Sequence, residues 1–158
     1  MQIWYMEPYP FGDKRMPHHV FPPKTLSPDQ LQQISGVISY KVDLEDTNAM
    51  KKRISRLRNE RNQVTTDILN LDENVKELES KLDDLYEPVE KDVEQIFLVL
   101  DGGLYYDVES EEDVWIRIHM EKGDLIIIPK GRPHRCTTTP KNFVKLQRFG
   151  FRSEPNRG

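Results

Sequence analysis

The chain has 158 residues, one cysteine and a formal net charge of −4, and charged residues make up 32% of it. This length is typical of one domain, and a small acidic charge gives no overall attraction for nucleic acid or anionic lipid. The single cysteine, Cys136, allows no internal disulfide, and no apolar run approaches the roughly 20 residues that span a bilayer. The first ten residues lack the basic and then apolar order of a secretory signal. We therefore expect a protein of a reducing intracellular compartment, without nucleic-acid or membrane partners.

The amino terminus predicts one short strand and then a loop. Residues 3–6 form a short apolar run that suits an edge strand, and residues 8–23 are rich in proline. The loop contains two adjacent histidines, His18 and His19. Because side chains of neighbouring residues rarely converge on one ion, solvent-exposed loop histidines are favoured over a metal site there.

Local capping signals mark the first helix. Ser27 is a typical N-cap, Pro28 suits the first helical position, and Gln30 completes a capping box. Gly36 is a typical stop signal. The β-branched content of residues 37–42 then predicts a strand.

Two more helices are expected, over residues 48–61 and 72–86, and apolar residues recur at helical spacing in the second of them. The first of these two is strongly basic. Its cations are Lys51, Lys52, Arg53, Arg56, Arg58 and Arg61. They are spread around the helix without interleaved aromatic side chains, which favours a solvated surface over a nucleic-acid interface.

Short strands separated by turns dominate from residue 89 onward. Candidate strands cover residues 95–100, 104–108, 114–119, 125–128, 133–138 and 143–149. This spacing favours an antiparallel barrel or sandwich. We therefore expect a single domain over 1–158, mostly β with α additions. In it, residues 1–88 supply an edge strand, a loop and about three helices, and residues 89–150 supply the barrel strands.

One stretch of the barrel, residues 123–134, has the sequence GDLIIIPKGRPH. It predicts a buried strand that is entered by a turn at Gly123 and left by a tight turn at Pro129 and Gly131. That second turn points the side chain of His134 into the interior. A histidine in this position typically serves as one ligand of a metal ion held inside a small β-barrel.

This stretch resembles the second conserved motif of the cupins, and most of the chain is similar to acireductone dioxygenase of the methionine salvage pathway. The similar segments are WYM at 4–6, GDKR at 12–15, LRNERN at 57–62, LDGGLYYDV at 100–108 and WIRIHMEKGD at 115–124. The resemblance implies a cupin barrel, a double-stranded β-helix or jelly roll, that holds Fe(II) or Ni(II) through three histidines and a glutamate. In that family the metal presents an enediolate to dioxygen, and the iron form yields formate and 4-methylthio-2-oxobutanoate.

The resemblance also implies where the metal ligands belong. The glutamate belongs seven positions before Gly102, which is Gln95 in this chain. The two histidines of the first motif belong at Val89 and Lys91, and the fourth ligand is His134. Three of the four ligands are therefore replaced, by a side chain without a donor, a cation and a neutral amide.

Neighbouring residues are poor substitutes for these ligands. The family's substrate-facing arginine, two residues beyond the glutamate, is Phe97 here. An alignment shifted by one residue would use Glu94 as a ligand, but such a shift turns a side chain to the opposite face of a strand. A β-bulge between Glu94 and Gly102 would reverse this. We expect none, because residues 95–100 form a continuous apolar strand without glycine.

Two further donors lie near the predicted barrel. His119 shares a strand face with Arg117, and a partly exposed strand histidine is favoured over a substitute ligand. Cys136 lies two residues beyond His134 and is favoured as a buried structural cysteine over a thiolate ligand. The segment after the last strand, residues 151–158, is shorter than the family's, which implies reduced closure over the pocket.

These replacements favour a catalytically inactive relative of acireductone dioxygenase, a pseudoenzyme without a metal cofactor. One alternative is an active enzyme that keeps Fe(II) or Ni(II) in a remodelled site. A second alternative is a binding module, in which the empty barrel takes a small apolar ligand or the basic helix binds a protein partner. The resemblance further implies a monomer located in the cytoplasm and nucleus.

Overall fold

The computed structural model describes residues 1–60 and 65–150, and there the chain is mostly β with three short helices. The strands are β1 (Gln2–Tyr5), β2 (Ile38–Lys41), β3 (Thr65–Leu71), β4 (Gln95–Glu111), β5 (Val114–Glu121), β6 (Asp124–Ile128), β7 (His134–Thr138) and β8 (Val144–Gly150). The helices are α1 (Pro28–Ser35), α2 (Thr47–Glu60) and α3 (Leu78–Tyr86). None of the described helices is long and apolar enough to cross a membrane. The predictions for Arg61 and for residues 151–158 lie outside the described residues.

The strands curl into an antiparallel half-barrel around β4. The first half of β4 pairs with β6 and β8, and its second half pairs with β5 and β7. The strands β1, β2 and β3 extend the sheet by pairing with β5, β6 and β8, respectively. The apolar residues of β4, β5 and β6 fill the interior, and β6 is buried at every residue. The predicted mostly β class is confirmed.

The two strands predicted over residues 95–100 and 104–108, with a turn between them, are one continuous strand of 17 residues, β4. That prediction was wrong. The strand bends at Asp101–Gly103 and passes from one group of partners to the other. Gly102 has a φ of +71°, and a Cβ there would collide with the carbonyl oxygen of Phe143. Gly102, which the sequence suggested as part of a turn, therefore lies at a bend within a strand.

The expectation that no bulge interrupts this strand was also wrong. The register of β4 against β8 shifts between Val99 and Asp101, which leaves Leu100 as the extra residue. The shift lies beyond Gln95 and Phe97, whose pairing with β6 is regular. The side chains of Gln95 and Phe97 therefore stay on the strand face that a regular strand predicts for them.

The first helix agrees with its sequence signals. The hydroxyl oxygen of Ser27 accepts a hydrogen bond from the backbone N–H of Gln30 at 3.1 Å, and the Gln30 side chain accepts one from the N–H of Ser27 at 2.8 Å. Gly36 ends the helix with a φ of +80°. The predicted capping box and stop signal are confirmed.

The third helix begins at Leu78 rather than at residue 72. Asp72 instead closes a local turn, because its carboxylate accepts a hydrogen bond from the N–H of Asn74 at 2.8 Å. Glu77 then has a φ of +59°, which is outside the right-handed helical region. The preceding strand β3, which pairs with β8 over seven residues from Thr65↔Gly150 to Leu71↔Val144, was not predicted at all.

Candidate functional site

A cavity of about 410 Å³ opens on the inner face of the half-barrel. Its lining includes all four positions that the sequence singled out, Val89, Lys91, Gln95 and His134. Phe97, the position of the family's substrate-facing arginine, also lines it. The structure therefore brings the predicted ligand positions together around one space.

Backbone hydrogen bonds hold these residues in place. The segment with Val89 runs beside the start of β7. The N–H of Val89 donates to the carbonyl of His134 at 2.9 Å, and the carbonyl of Val89 accepts from the N–H of His134 at 3.0 Å. The N–H of Gly131 donates to the carbonyl of Lys91 at 2.9 Å, and the turn at Pro129 is closed by the N–H of residue 132 at 3.2 Å. The predicted turn thus positions both halves of the site.

The side chain of His134 is buried and held in one orientation. Its Nδ1 lies 3.0 Å from the carbonyl oxygen of Arg132. Because a carbonyl only accepts, Nδ1 carries the proton and Nε2 is left as an acceptor. Burial lowers the pKa of His134, and the positive charge of Lys91 lowers it further, although the hydrogen bond to Arg132 opposes both. The imidazole is therefore neutral at pH 7.

The strand register presents an amide and an aromatic ring to the cavity. Gln95 pairs with Ile128 of β6, and its side-chain nitrogen donates to the carbonyl of Glu94 at 3.0 Å. Two residues on, the ring of Phe97 stacks on Tyr106 with 4.3 Å between ring centroids. Gln95 and Phe97 line the cavity, and Glu94 is absent from its lining. The shifted alignment that would use Glu94 has no support in this geometry.

The cysteine in the cavity wall is a buried thiol. Burial raises the pKa of Cys136 to about 12, and its hydrogen bond with Tyr106 only partly offsets this. A thiol with such a pKa is protonated at pH 7, and metals are bound by the thiolate. Cys136 therefore offers no ready donor beside His134, which agrees with its interpretation as a structural cysteine.

The donor set around the cavity does not fit Fe(II) or Ni(II). Within the described residues, no group of three or more His, Cys, Asp or Glu side chains is arranged to hold a metal ion. Val89 has no donor atom, Lys91 adds a positive charge, and Gln95 offers a neutral amide. Of the four positions that the resemblance implies for the ligands, His134 alone retains the chemistry of a ligand.

The other histidines lie elsewhere. His119 is half-buried against the ring of Tyr105, with centroids 5.3 Å apart, and it does not line the cavity. Burial lowers its pKa. His18 bonds to a carboxylate of the loop, whereas His19 stacks on Trp4 with centroids 4.3 Å apart. The two adjacent histidines thus contact different partners.

Sequence reasoning missed a buried polar network behind one wall of the cavity. Arg117, grouped with His119 on the strand face expected to be partly exposed, is fully buried. It donates from Nε and Nη2 to the Asp107 carboxylate at 2.7 and 2.9 Å. Tyr86 and Arg135 also donate to Asp107, at 3.0 and 3.1 Å. The only sequence signal was an aspartate and an arginine within apolar strands, because their pairing requires the register of β4 against β5.

Comparison with known proteins identifies the family. The ARD/ARD′ family profile matches residues 2–157. A Caenorhabditis elegans protein named "Probable inactive acireductone dioxygenase 1" is 55% identical over 159 residues, covering 100% of both chains. A Caenorhabditis briggsae protein named "Probable inactive acireductone dioxygenase 2" is 54% identical over 94% of each chain.

A solved structure shares the fold. Acireductone dioxygenase from Bacillus anthracis, with a cadmium ion in its active centre, superposes with a TM-score of 0.77 at 16% sequence identity. The match covers 97% of this chain and 94% of that one. The solved structure shows the shared fold, and the profile and the full-length relatives show that the chain belongs to the ARD/ARD′ family.

Proposed function

We propose that this protein is a catalytically inactive homologue of acireductone dioxygenase that functions without iron or nickel. One observation carries the proposal: Val89, Lys91 and Gln95 line the same cavity as His134, at the positions where the family resemblance implies two histidines and a glutamate. The names of the two nematode relatives, which call both of them probable inactive enzymes, support the same conclusion.

Electrostatics make the replacement of the second ligand the most damaging. An ammonium about 4 Å from a divalent ion would repel it by roughly 8 kcal/mol at an effective dielectric constant of 20. The charge of Lys91 already reaches the surviving ligand, because it lowers the pKa of His134. A neutral amide and one imidazole do not compensate for this repulsion.

Metal content tests the proposal directly. The purified protein is incubated with Fe(II) or Ni(II), desalted and analysed by mass spectrometry of the metal. We expect far less than one metal ion per chain. Stoichiometric metal that is lost in a His134→Ala variant would contradict the proposal and favour the active enzyme with a remodelled site.

Restoring the ligands tests whether their loss is the cause. The triple variant Val89→His, Lys91→His, Gln95→Glu is expected to take up close to one metal ion per chain. The matched control adds His134→Ala to the same three changes and should abolish uptake. A triple variant that folds but binds no metal would show that the pocket has diverged beyond its ligands.

We also propose the finer features that the resemblance implies. They are a double-stranded β-helix of the cupin type, a monomeric state, a location in the cytoplasm and nucleus, and a role connected with methionine salvage. Light scattering after gel filtration tests the monomer, and imaging of a fluorescent fusion tests the location.

A further inference from the structure

The cavity has an apolar wall suited to a small ligand. Phe97 is buried against the ring of Tyr106, and Val89, Leu85 and Phe149 also line the space. A volume of about 410 Å³ falls within the range of small-molecule sites. The wall includes Val89, one of the four ligand positions, and Phe97, the position of the family's substrate-facing arginine.

Two of the cations around this wall already have carboxylate partners in the protein. Arg148 forms a two-point pair with Asp67 at 2.9 and 2.7 Å. Arg135 donates to the buried carboxylate of Asp107 at 3.1 Å. Both guanidinium groups are thus held by carboxylates of the protein, and Arg135 shares its carboxylate with Arg117.

Lys91 is different. Within the described residues it forms no ion pair with a carboxylate, and its backbone is fixed by the hydrogen bond from Gly131. Two further carboxylates, Asp84 and Glu87, line the cavity on the side of α3. Among the described residues that line the cavity, Lys91 is therefore the cation without a carboxylate partner.

We propose that this cavity binds a small carboxylate with a short apolar chain, without any metal. The ammonium of Lys91 pairs with the carboxylate, and the chain packs against Val89 and Phe97. The inference rests on the proposed function, because a metal ion held at the same place would be repelled by Lys91. Lys91, which stands at the position of a lost metal ligand, thus attracts an anion in place of the metal ion.

A ligand series in the presence of EDTA tests the charge and the chain. Propionate, butyrate and hexanoate, together with hexanol and hexylammonium, are titrated into the protein and followed by NMR chemical shifts. Hexanoate is expected to bind best, with each added methylene tightening binding about two- to fourfold. Hexylammonium binding more tightly than hexanoate would overturn the proposal and point to Asp84 and Glu87. Absence of hexanoate binding would overturn it too.

Two lysine variants separate the site from a general charge effect. Lys91→Met is expected to weaken hexanoate binding about tenfold or more and to leave hexanol binding unchanged. The matched control, Lys130→Met, changes an exposed lysine of the neighbouring turn that does not line the cavity, and it should have no effect. Equal losses in the two variants would refute a specific role for Lys91.

Added metal distinguishes this inference from the proposed function. Hexanoate binding that requires Ni(II) would contradict both. Absence of binding with and without Ni(II), in a protein that takes up no metal, would remove only the ligand inference. Thermal unfolding of each variant confirms that a lost signal reflects a lost site rather than a lost fold.

Discussion

Asp107 illustrates how strongly burial governs the role of a charged residue in this protein. Its carboxylate is fully buried and receives hydrogen bonds from Arg117, Tyr86 and Arg135. Arg117 also donates to the carbonyls of Lys14 and Met16 in the proline-rich loop. The pair therefore links the barrel to α3 and to the amino-terminal loop at one point.

Replacing Asp107 by asparagine is expected to destabilise the fold by about 3–5 kcal/mol, because Arg117 would remain buried without a countercharge. The matched control is Asp67→Asn. Asp67 pairs with Arg148 near the surface, so its loss should cost about 1 kcal/mol or less. Urea unfolding of the three proteins measures both values. Similar losses in the two variants would contradict a special role for the buried network.

A second residue-scale prediction concerns alkaline pH. Burial raises the pKa of Cys136 to about 12, above the value of 9.0 for a free thiol. Because the unfolded thiol ionises first, the stabilisation is present below about pH 9 and is lost as the pH rises through the folded pKa. We expect the wild type to lose roughly 2 kcal/mol more than Cys136→Ser between pH 9 and 10.5. Urea unfolding across this range measures the difference, and parallel curves would contradict it.

At the scale of elements, β4 determines the shape of the half-barrel. It is the only described strand that pairs with four others, and it changes partners at the bend around Gly102. The N–H of Gly103 then donates to the carbonyl of Phe143 at 3.1 Å. The bend thus fixes how the loop before β8 lies over β4.

Gly102→Ala is expected to destabilise the fold markedly for two reasons. The left-handed φ of +71° disfavours any Cβ by about 1–2 kcal/mol, and the new atom would also come within 2.7 Å of the Phe143 ring. The control Gly12→Ala isolates the second cause, because Gly12 has a φ of +94° with nothing within 4 Å of a Cβ. Thermal unfolding should show a loss about 2 kcal/mol larger for Gly102→Ala. Equal losses would show that backbone strain alone matters.

The elements also show which kinds of structure the sequence could predict. The first helix was predicted to the residue, because Ser27, Gln30 and Gly36 interact within a few positions of one another. The four ligand positions around the cavity could be located because their spacing matches a known family. The burial of Arg117 and the continuity of β4 could not be predicted, because both depend on residues far away in the chain. Strand β3 was missed for the same reason, since it is stabilised by pairing with β8.

At the scale of the whole molecule, the amino-terminal half completes a sheet that the carboxyl-terminal half begins. Strand β1 covers the edge of β5, β2 that of β6, and β3 that of β8. The hydrogen bonds of Arg117 to the proline-rich loop add a further connection between the halves. We therefore expect the division into helices before residue 89 and a barrel after it to describe the order of elements rather than two separable units.

A fragment of residues 89–158 is accordingly expected not to fold on its own. It would expose the edges of three strands and would leave the buried faces of β5 and β6 without the side chains of Ile3, Leu31 and Val37. The full chain should show one cooperative thermal transition, because pairings between distant segments couple its two halves. The fragment should show none by circular dichroism and should be digested rapidly by a protease that spares the full chain. A cooperative transition of the fragment near that of the full chain would establish residues 89–158 as an independent barrel, with the preceding residues as an addition to it.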